Sequence, residues 1–374
     1  MGMAKSGIGL WVSCFGFLLY LQATVFAQQT AEPPDPVLTH RPPPKAAAAP
    51  SVVTPAGRMR LDVTVTDAGG KLVPGLGPQD FKVLDDNTAR KILSFRSYDG
   101  ITVKPEPPVE VILVVDTANL PFQQVAFTRD EVGKFLRENG GHLAQPVSIM
   151  VLSDTGLRVQ PRPSVDGNAL IGVLNEIKGN IHSINAAEGS EGDLERFQLS
   201  VRQLTTIAAN EAQKPGRKLL IWVGPGWPML NSANFRFSER DQMRYFDSIV
   251  EISTKLREGR VVVDSAAPAA STMDSGLRTT LYQGFLKGVR TARQADSGNL
   301  ALKVVATQSG GLVLGPDNDL AGQIDRCVAE ANAFYTLSFD PPKASAPNEY
   351  HDLKVVVDQS GVTVRTRTGY YGQP

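Results

Sequence analysis

Four apolar runs in the middle of the chain each end in residues that could do chemistry. Residues 109–115 lead into Asp116-Thr117-Ala118-Asn119-Leu120, and 147–152 into Ser153-Asp154-Thr155. Residues 218–223 lead into Gly224-Pro225-Gly226-Trp227, and 261–263 into Asp264-Ser265. In open α/β sheets ligands collect outside the carboxyl ends of the strands, so these are the positions where a site is expected. Strand-end carboxylates can gather round a hard divalent cation, which takes oxygen ligands. They also cap helices and turns, which needs no ligand at all. Asp116 is the best placed of the three acids. Trp227, on a Gly-Pro-Gly-Trp loop, is either an exposed aromatic anchor for a partner or a residue buried against a neighbouring helix.

Signatures of catalysis are missing from the sequence. It has no Gly-x-x-x-x-Gly-Lys-Ser/Thr cradle, no Gly-x-Gly-x-x-Gly turn, no His-Glu-x-x-His and no Gly-x-Ser-x-Gly elbow. His40, His142, His182 and His351 are scattered, with no pair in metal-ligand spacing. An aspartyl phosphotransferase would want a second Asp two residues after Asp116, where Ala118 stands. The expectation is a protein that is not an enzyme and carries no cofactor.

Several elements must hold these loops. Residues 108–332 alternate β-branched runs with helical periodicities, the pattern of an α/β domain whose mainly parallel sheet has helices on both faces. Asp166 is placed to cap a helix carrying Leu170, Val173, Leu174 and Ile177, closed by Gly179. Residues 185–193 read as a polar loop, 266–276 as a small-residue loop, 300–308 as a short helix and 312–314 as a short strand. Cys327 shares a helical face with Leu320, Ile324, Val328 and Ala331, which makes it a core thiol. On either side the period changes to two. Leu61, Val63 and Val65 alternate with polar residues before an Asp67-to-Lys71 turn, reading as strand and hairpin. Residues 81–84, 92–95, 334–339, 353–357 and 362–366 read as further strands. Segments 58–99 and 333–374 are therefore β units, expected to pair as one small β-sandwich because unpaired strand edges are a liability.

The start of the chain is different again. Residues 1–27 have Lys5, an apolar stretch and Val25-Phe26-Ala27, the pattern of a signal peptide, with an uncleaved anchor as the alternative. Its apolar run is short for a membrane span. Residues 28–57 hold eight of the chain's 26 prolines and cannot bury a core, so they read as a disordered Pro/Ala-rich linker. With 38 basic against 38 acidic residues there is no electrostatic footprint for nucleic acid. Removal of the signal leaves Cys327 as the only thiol, so no internal disulfide stabilises the exported chain.

Residues 111–116, Val-Ile-Leu-Val-Val-Asp, with the strand and helix alternation after them, resemble the start of a von Willebrand factor A domain. Leu61-Asp62-Val63-Thr64-Val65-Thr66-Asp67, Val73-Pro74-Gly75-Leu76 and Asp80-Phe81 look like the N-terminal signature of the exported von Willebrand factor A-related family abundant in Acidobacteria. Residues 334–341, 350–355 and 364–371 look like its C-terminal signature. The resemblance covers about 58 to 371. It implies a Rossmann-like sheet and, in metal-competent members, a Mg²⁺ adhesion site. That site is built from Asp-x-Ser-x-Ser, a Thr from a second loop and an Asp from a third. Here only Asp116 matches the first motif, since Ala118 and Leu120 replace both serines and Gly224 stands at the third-loop position. Mg²⁺ dehydrates too reluctantly to be held by one carboxylate. The expectation is a metal-independent protein-binding module, periplasmic or extracellular, docking through the carboxyl edge of the sheet with Trp227, Thr117 and Asn119. Asp116, Asn119 and Asp154 remain candidates for a non-standard Mg²⁺ or Ca²⁺ site. A structural envelope component docking through the β flanks, or a metal-dependent hydrolase, are the alternatives.

Overall fold

The computed structural model describes residues 57–160, 162–175, 189–230, 238–269 and 281–374. The expected signal peptide, nearly all of the linker, Gly179, residues 185–188 and most of the 266–276 loop lie outside the described residues; the rest of the expected 185–193 loop is corrected, since a helix already begins at Ser190. The fold is mixed α/β, with one mixed sheet and two antiparallel ones.

Strand β1 (Met59–Asp67) alternates buried and half-buried side chains along its first half, and its partners come from the far end of the chain. It pairs antiparallel with β11 (Ala333–Phe339), Met59 opposite Phe339, and with β13 (Val362–Arg365). β4 (Ser94–Asp99) closes the other side of β11. A second antiparallel sheet runs β14 (Gly369–Gly372), β12 (Glu349–Val357), β2 (Phe81–Asp85), β3 (Thr88–Arg90). Leu61, Val63 and Val65 of the first sheet share one core with Phe81, Val83 and Val355 of the second, so the two sheets face each other.

The third sheet has the order β10 (Val261–Ala266), β9 (Lys218–Val223), β5 (Glu110–Asp116), β6 (His142–Ser153), β7 (Gly156–Val159). β8 (Ser164–Asp166) adds antiparallel to β6. Its central strands are parallel and apolar on both sides, because helices cover both faces. Ile112, Val114 and Trp222 pack under α3 (Ser190–Ala212), α4 (Glu239–Glu258) and α5 (Leu302–Ser309). Val111, Leu113 and Val115 pack under α1 (Phe122–Arg137), α2 (Gly167–Asn175) and α6 (Leu320–Ala329). Asp166 caps α2 as expected, its Oδ1 accepting from the backbone N–H groups of Asn168 and Ala169. Cys327 is in the core.

Three local readings need correction. The hairpin after β1 is cut short to one antiparallel bridge, Thr66 to Leu72, with the Asp67 N–H donating to the Lys71 carbonyl at 2.8 Å and the Val73 N–H to the Val65 carbonyl at 2.9 Å. The return segment carries Pro74 directly after Val73, and proline lacks the N–H a ladder needs. Strand β4 begins at Ser94, two residues later than the apolar pattern suggests. Residues 312–314 form only an isolated bridge, Val313 to Ser265. The short strands β7, β8 and β14 carry too few alternating residues to be read from the sequence.

The sandwich is fastened to the α/β layer by a buried ion cluster. Asp62 on β1 accepts from Arg260 Nη2 at 2.6 Å and Nε at 3.2 Å, and from Thr336 Oγ1 at 2.9 Å. Arg217, buried at the foot of β9, reaches to 3.9 Å of the same carboxylate. Its guanidinium lies 4.2 Å from the Phe334 ring centroid and donates to the Ala331 carbonyl at 2.9 Å.

Candidate functional site

Asp116 ends the central strand β5 at the point where the sheet continues to β6 on one side and to β9 on the other, the topological switch point of such a sheet. Its side chain is wholly buried. Oδ1 accepts from the Asn119 backbone N–H at 3.1 Å and Nδ2 at 3.0 Å. Oδ2 accepts from Asn119 Nδ2 at 2.9 Å and from Trp222 Nε1, on β9, at 2.8 Å. Asn119 Nδ2 also donates to Ser200 Oγ of α3 at 3.0 Å. Burial pushes the Asp116 carboxyl up to about 6, against the opposing pull of the Trp222 and Asn119 donors.

Thr117 and Trp227 are also turned inward. Thr117 gives both its N–H and its hydroxyl to the Leu152 carbonyl, at 2.8 and 2.7 Å. Trp227 donates its indole N–H to the Leu300 carbonyl at 3.1 Å and meets the Trp222 ring edge-on at 5.1 Å. Thr117, Asn119 and Trp227 are only 6, 3 and 5% exposed, so the docking surface expected of them is corrected: they are core residues. For Trp227 the reading of burial against neighbouring elements is the one that holds.

The candidate metal ligands have other partners or settings in the fold. Asp154 is in the two-residue turn between β6 and β7, where Ser153 pairs with Gly156, and so serves a hairpin. Asn119 turns its amide nitrogen, a donor, toward Asp116, which leaves no oxygen of that amide facing the carboxylate. Ala118 and Leu120 are buried and apolar. Gly224 has φ 154°, and a Cβ there would fall 2.9 Å from the Asp116 Cβ, so the third-loop position has room for no side chain. Asp264 lies three residues inside β10, buried, accepting from the Leu312 N–H at 2.7 Å. Burial raises its carboxyl to about 6 and, with Asp264 beside it, holds the Cys327 thiol far up, as a protonated partner.

One cluster was not singled out from the sequence. Asp85, Asp86 and His351 bring three possible ligand atoms within 4.8 Å of one another, the set of this kind found among the described residues. His351 Nδ1 is 3.1 Å from Asp85 Oδ1 and 3.1 Å from Asp86 Oδ2. Each acid already has other protein partners. Tyr370 donates its hydroxyl to Asp85 Oδ2 at 2.9 Å, Arg90 lies 3.6 Å away, and Arg290 holds Asp86 at 3.0 Å. Each acid is thus engaged by a cation or donor of the protein, and the cluster reads as a clasp between β2 and β12. The Asp85-Asp86-Asn87 turn and the Tyr350-His351-Asp352 stretch were visible signals, but their pairing across 266 residues was not.

The pH dependence of the Asp116 centre has a fixed sign. A carboxyl raised in the folded state contributes its stability below the unfolded value and loses it as pH rises through about 6. Asp116→Asn removes this titration. The stability of wild type relative to Asp116→Asn is therefore expected to fall by up to about 3 kcal/mol between pH 4 and 7. Urea unfolding at several pH values measures it, and a difference independent of pH would show that Asp116 titrates normally.

No family model matches the chain, and no curated protein matches it. Solved structures resemble it weakly. The pilus adhesin SpaC from Lactobacillus rhamnosus GG, in its open conformation, is 13% identical with a TM-score of 0.39 over 80% of this chain and 42% of that one. The human COPII-coat protein Sec24c is 10% identical with a TM-score of 0.33 over 71% and 44%. Proximal thread matrix protein 1 from the mussel byssus is 10% identical with a TM-score of 0.31 over 59% and 47%. The chain spans less than half the length of each. Among the described residues no helix is long and apolar enough to cross a membrane.

Proposed function

We propose that the chain is a von Willebrand factor A-related binding module, exported through residues 1–27, that holds a protein partner in the envelope or outside the cell without catalysis and without a bridging metal. The observation that carries this reading is the closure of the Asp116 centre. Both carboxylate oxygens accept from Asn119 and Trp222, and the flanking positions are Ala118, Leu120 and Gly224. A cation would have to displace an indole and an amide from a buried carboxylate and would find too few oxygens in return. The same centre pairs no nucleophile with a base, which is what covalent or general-base chemistry requires.

With Trp227 inside the core, an exposed aromatic at this edge of the sheet among the described residues is Phe122, at the start of α1 and 56% exposed. Aromatic side chains are the usual anchors of protein interfaces. Capture of a partner from envelope extract by the full chain is expected to survive EDTA and to be lost with Phe122→Ala. Release by EDTA would overturn the metal-free reading. Capture unchanged in Phe122→Ala would move docking to the β flanks, the structural-component reading.

A further inference from the structure

We propose that the groove between the β-sandwich and the α/β layer binds a long-chain carboxylate. It lies where the chain crosses between the two layers, beside the end of β4 at Asp99 and the start of β11 at Ala333, and encloses about 560 Å³. Small-molecule sites measure about 300–1,000 Å³ and favour such junctions. Its walls are apolar: Val73, Pro74, Tyr98 and Ile101 surround a floor that includes Phe334.

The walls are preformed. The Tyr335 hydroxyl donates to the Val73 carbonyl at 2.7 Å and accepts from the Leu76 N–H at 3.3 Å, fixing one side. On the other, Asp99 Oδ1 accepts from the backbone N–H groups of Ile101, Thr102 and Val103 at 2.8 to 2.9 Å. That clamp leaves the Ile101 side chain 84% exposed, an unusual position for so apolar a residue. The Tyr98 ring is seated 4.8 Å from Phe334.

Charge selects the headgroup. Four charged side chains line the groove: Lys71, Asp99, Arg326 and Glu330. The two acids are engaged within the protein, Asp99 by its three N–H donors and Glu330 by Arg365. Neither Lys71 nor Arg326 has an acidic partner among the described residues. Arg326 Nη2 lies 3.9 Å from where a Cβ on Gly70 would sit, next to Lys71 in the chain, so both cations serve the same end. A wholly apolar ligand would leave these charges unanswered, and a small inorganic anion would leave the apolar walls wet. One carboxylate on an alkyl chain answers both, with the guanidinium fork suited to a carboxylate.

The assignment does not rest on the protein-binding reading. Isothermal titration of the full chain with dodecanoate and with dodecan-1-ol, both below aggregation, tests it. Saturable one-to-one binding of dodecanoate is expected, at least about tenfold tighter than the alcohol. The Lys71→Glu, Arg326→Glu double variant, altering two exposed side chains, is expected to keep its melting temperature and to weaken dodecanoate at least about tenfold while leaving the alcohol unchanged. Ile101→Ser is expected to weaken both ligands. Absence of saturable binding, equal affinity for acid and alcohol, or undiminished dodecanoate binding by the double variant would each overturn the proposal.

Discussion

Asp62→Ala is expected to cost about 3–5 kcal/mol of folding stability, read as a lower urea midpoint at unchanged slope. The side chain is small, so lost packing is a minor part of this. The larger part is that Arg217, 4% exposed, and the partly buried Arg260 would keep their charges with no carboxylate opposite. Breaking a buried ion pair from one side costs far more than the pair itself contributes, because the remaining ion is desolvated and unanswered. Asp62→Asn keeps an acceptor for Thr336 and Arg260 and should lose less. Burial alone would raise the Asp62 carboxyl, but Arg260 and Arg217 outweigh that and hold it below its usual range. Its contribution is therefore present above the unfolded value near 4 and is lost as pH falls through the depressed folded one. A loss under about 1 kcal/mol in Asp62→Ala would show that water answers the two arginines.

Trp227→Ala is the second large effect, again about 3–5 kcal/mol, from the cavity left by an indole at the carboxyl edge. The ring packs edge-on against Trp222, whose own N–H is committed to Asp116, so the cavity opens beside the buried carboxylate. Trp227→Phe retains most of the volume and loses the bond to the Leu300 carbonyl, for about 1 kcal/mol. Phe122→Ala, on an exposed ring, should leave stability within about 0.5 kcal/mol. This contrast separates a core tryptophan from a docking residue. Equal, small losses in Trp227→Ala and Phe122→Ala would return Trp227 to the surface.

Much of the α/β layer was legible from local pattern. A short β-branched apolar run such as 111–115 reads as a strand buried on both faces, and the 3.6 period of residues 320–331 puts Cys327 inward wherever that helix docks. The composition of the Asp116 loop was equally informative, because Ala118 and Leu120 bring no ligand oxygen into any fold. The state of the loop was not legible. Whether Asp116, Asn119 and Trp227 face solvent depends on Trp222 of the neighbouring strand β9, on Ser200 in α3 and on Leu300, and no spacing between them encodes a contact. Asp154 misled for a related reason, since a strand-end acid looks the same before a helix and within a hairpin.

The sequence by itself determined the long strands and helices of the α/β layer, that the central sheet is covered on both faces, and that the usual metal motif is broken. These follow from side-chain period and from which residues carry oxygens, properties that travel with the chain. Tertiary structure alone decided that β1 pairs with strands some 270 to 300 residues later, that Asp62 meets two arginines of another layer, and that the strand-end aromatics turn inward. It also decided that Lys71 and Arg326, with no acidic partner among the described residues, meet an apolar groove at the crossing between layers. Each depends on surfaces that come together only once separate elements have packed, and on which side chain then finds a partner shielded from water.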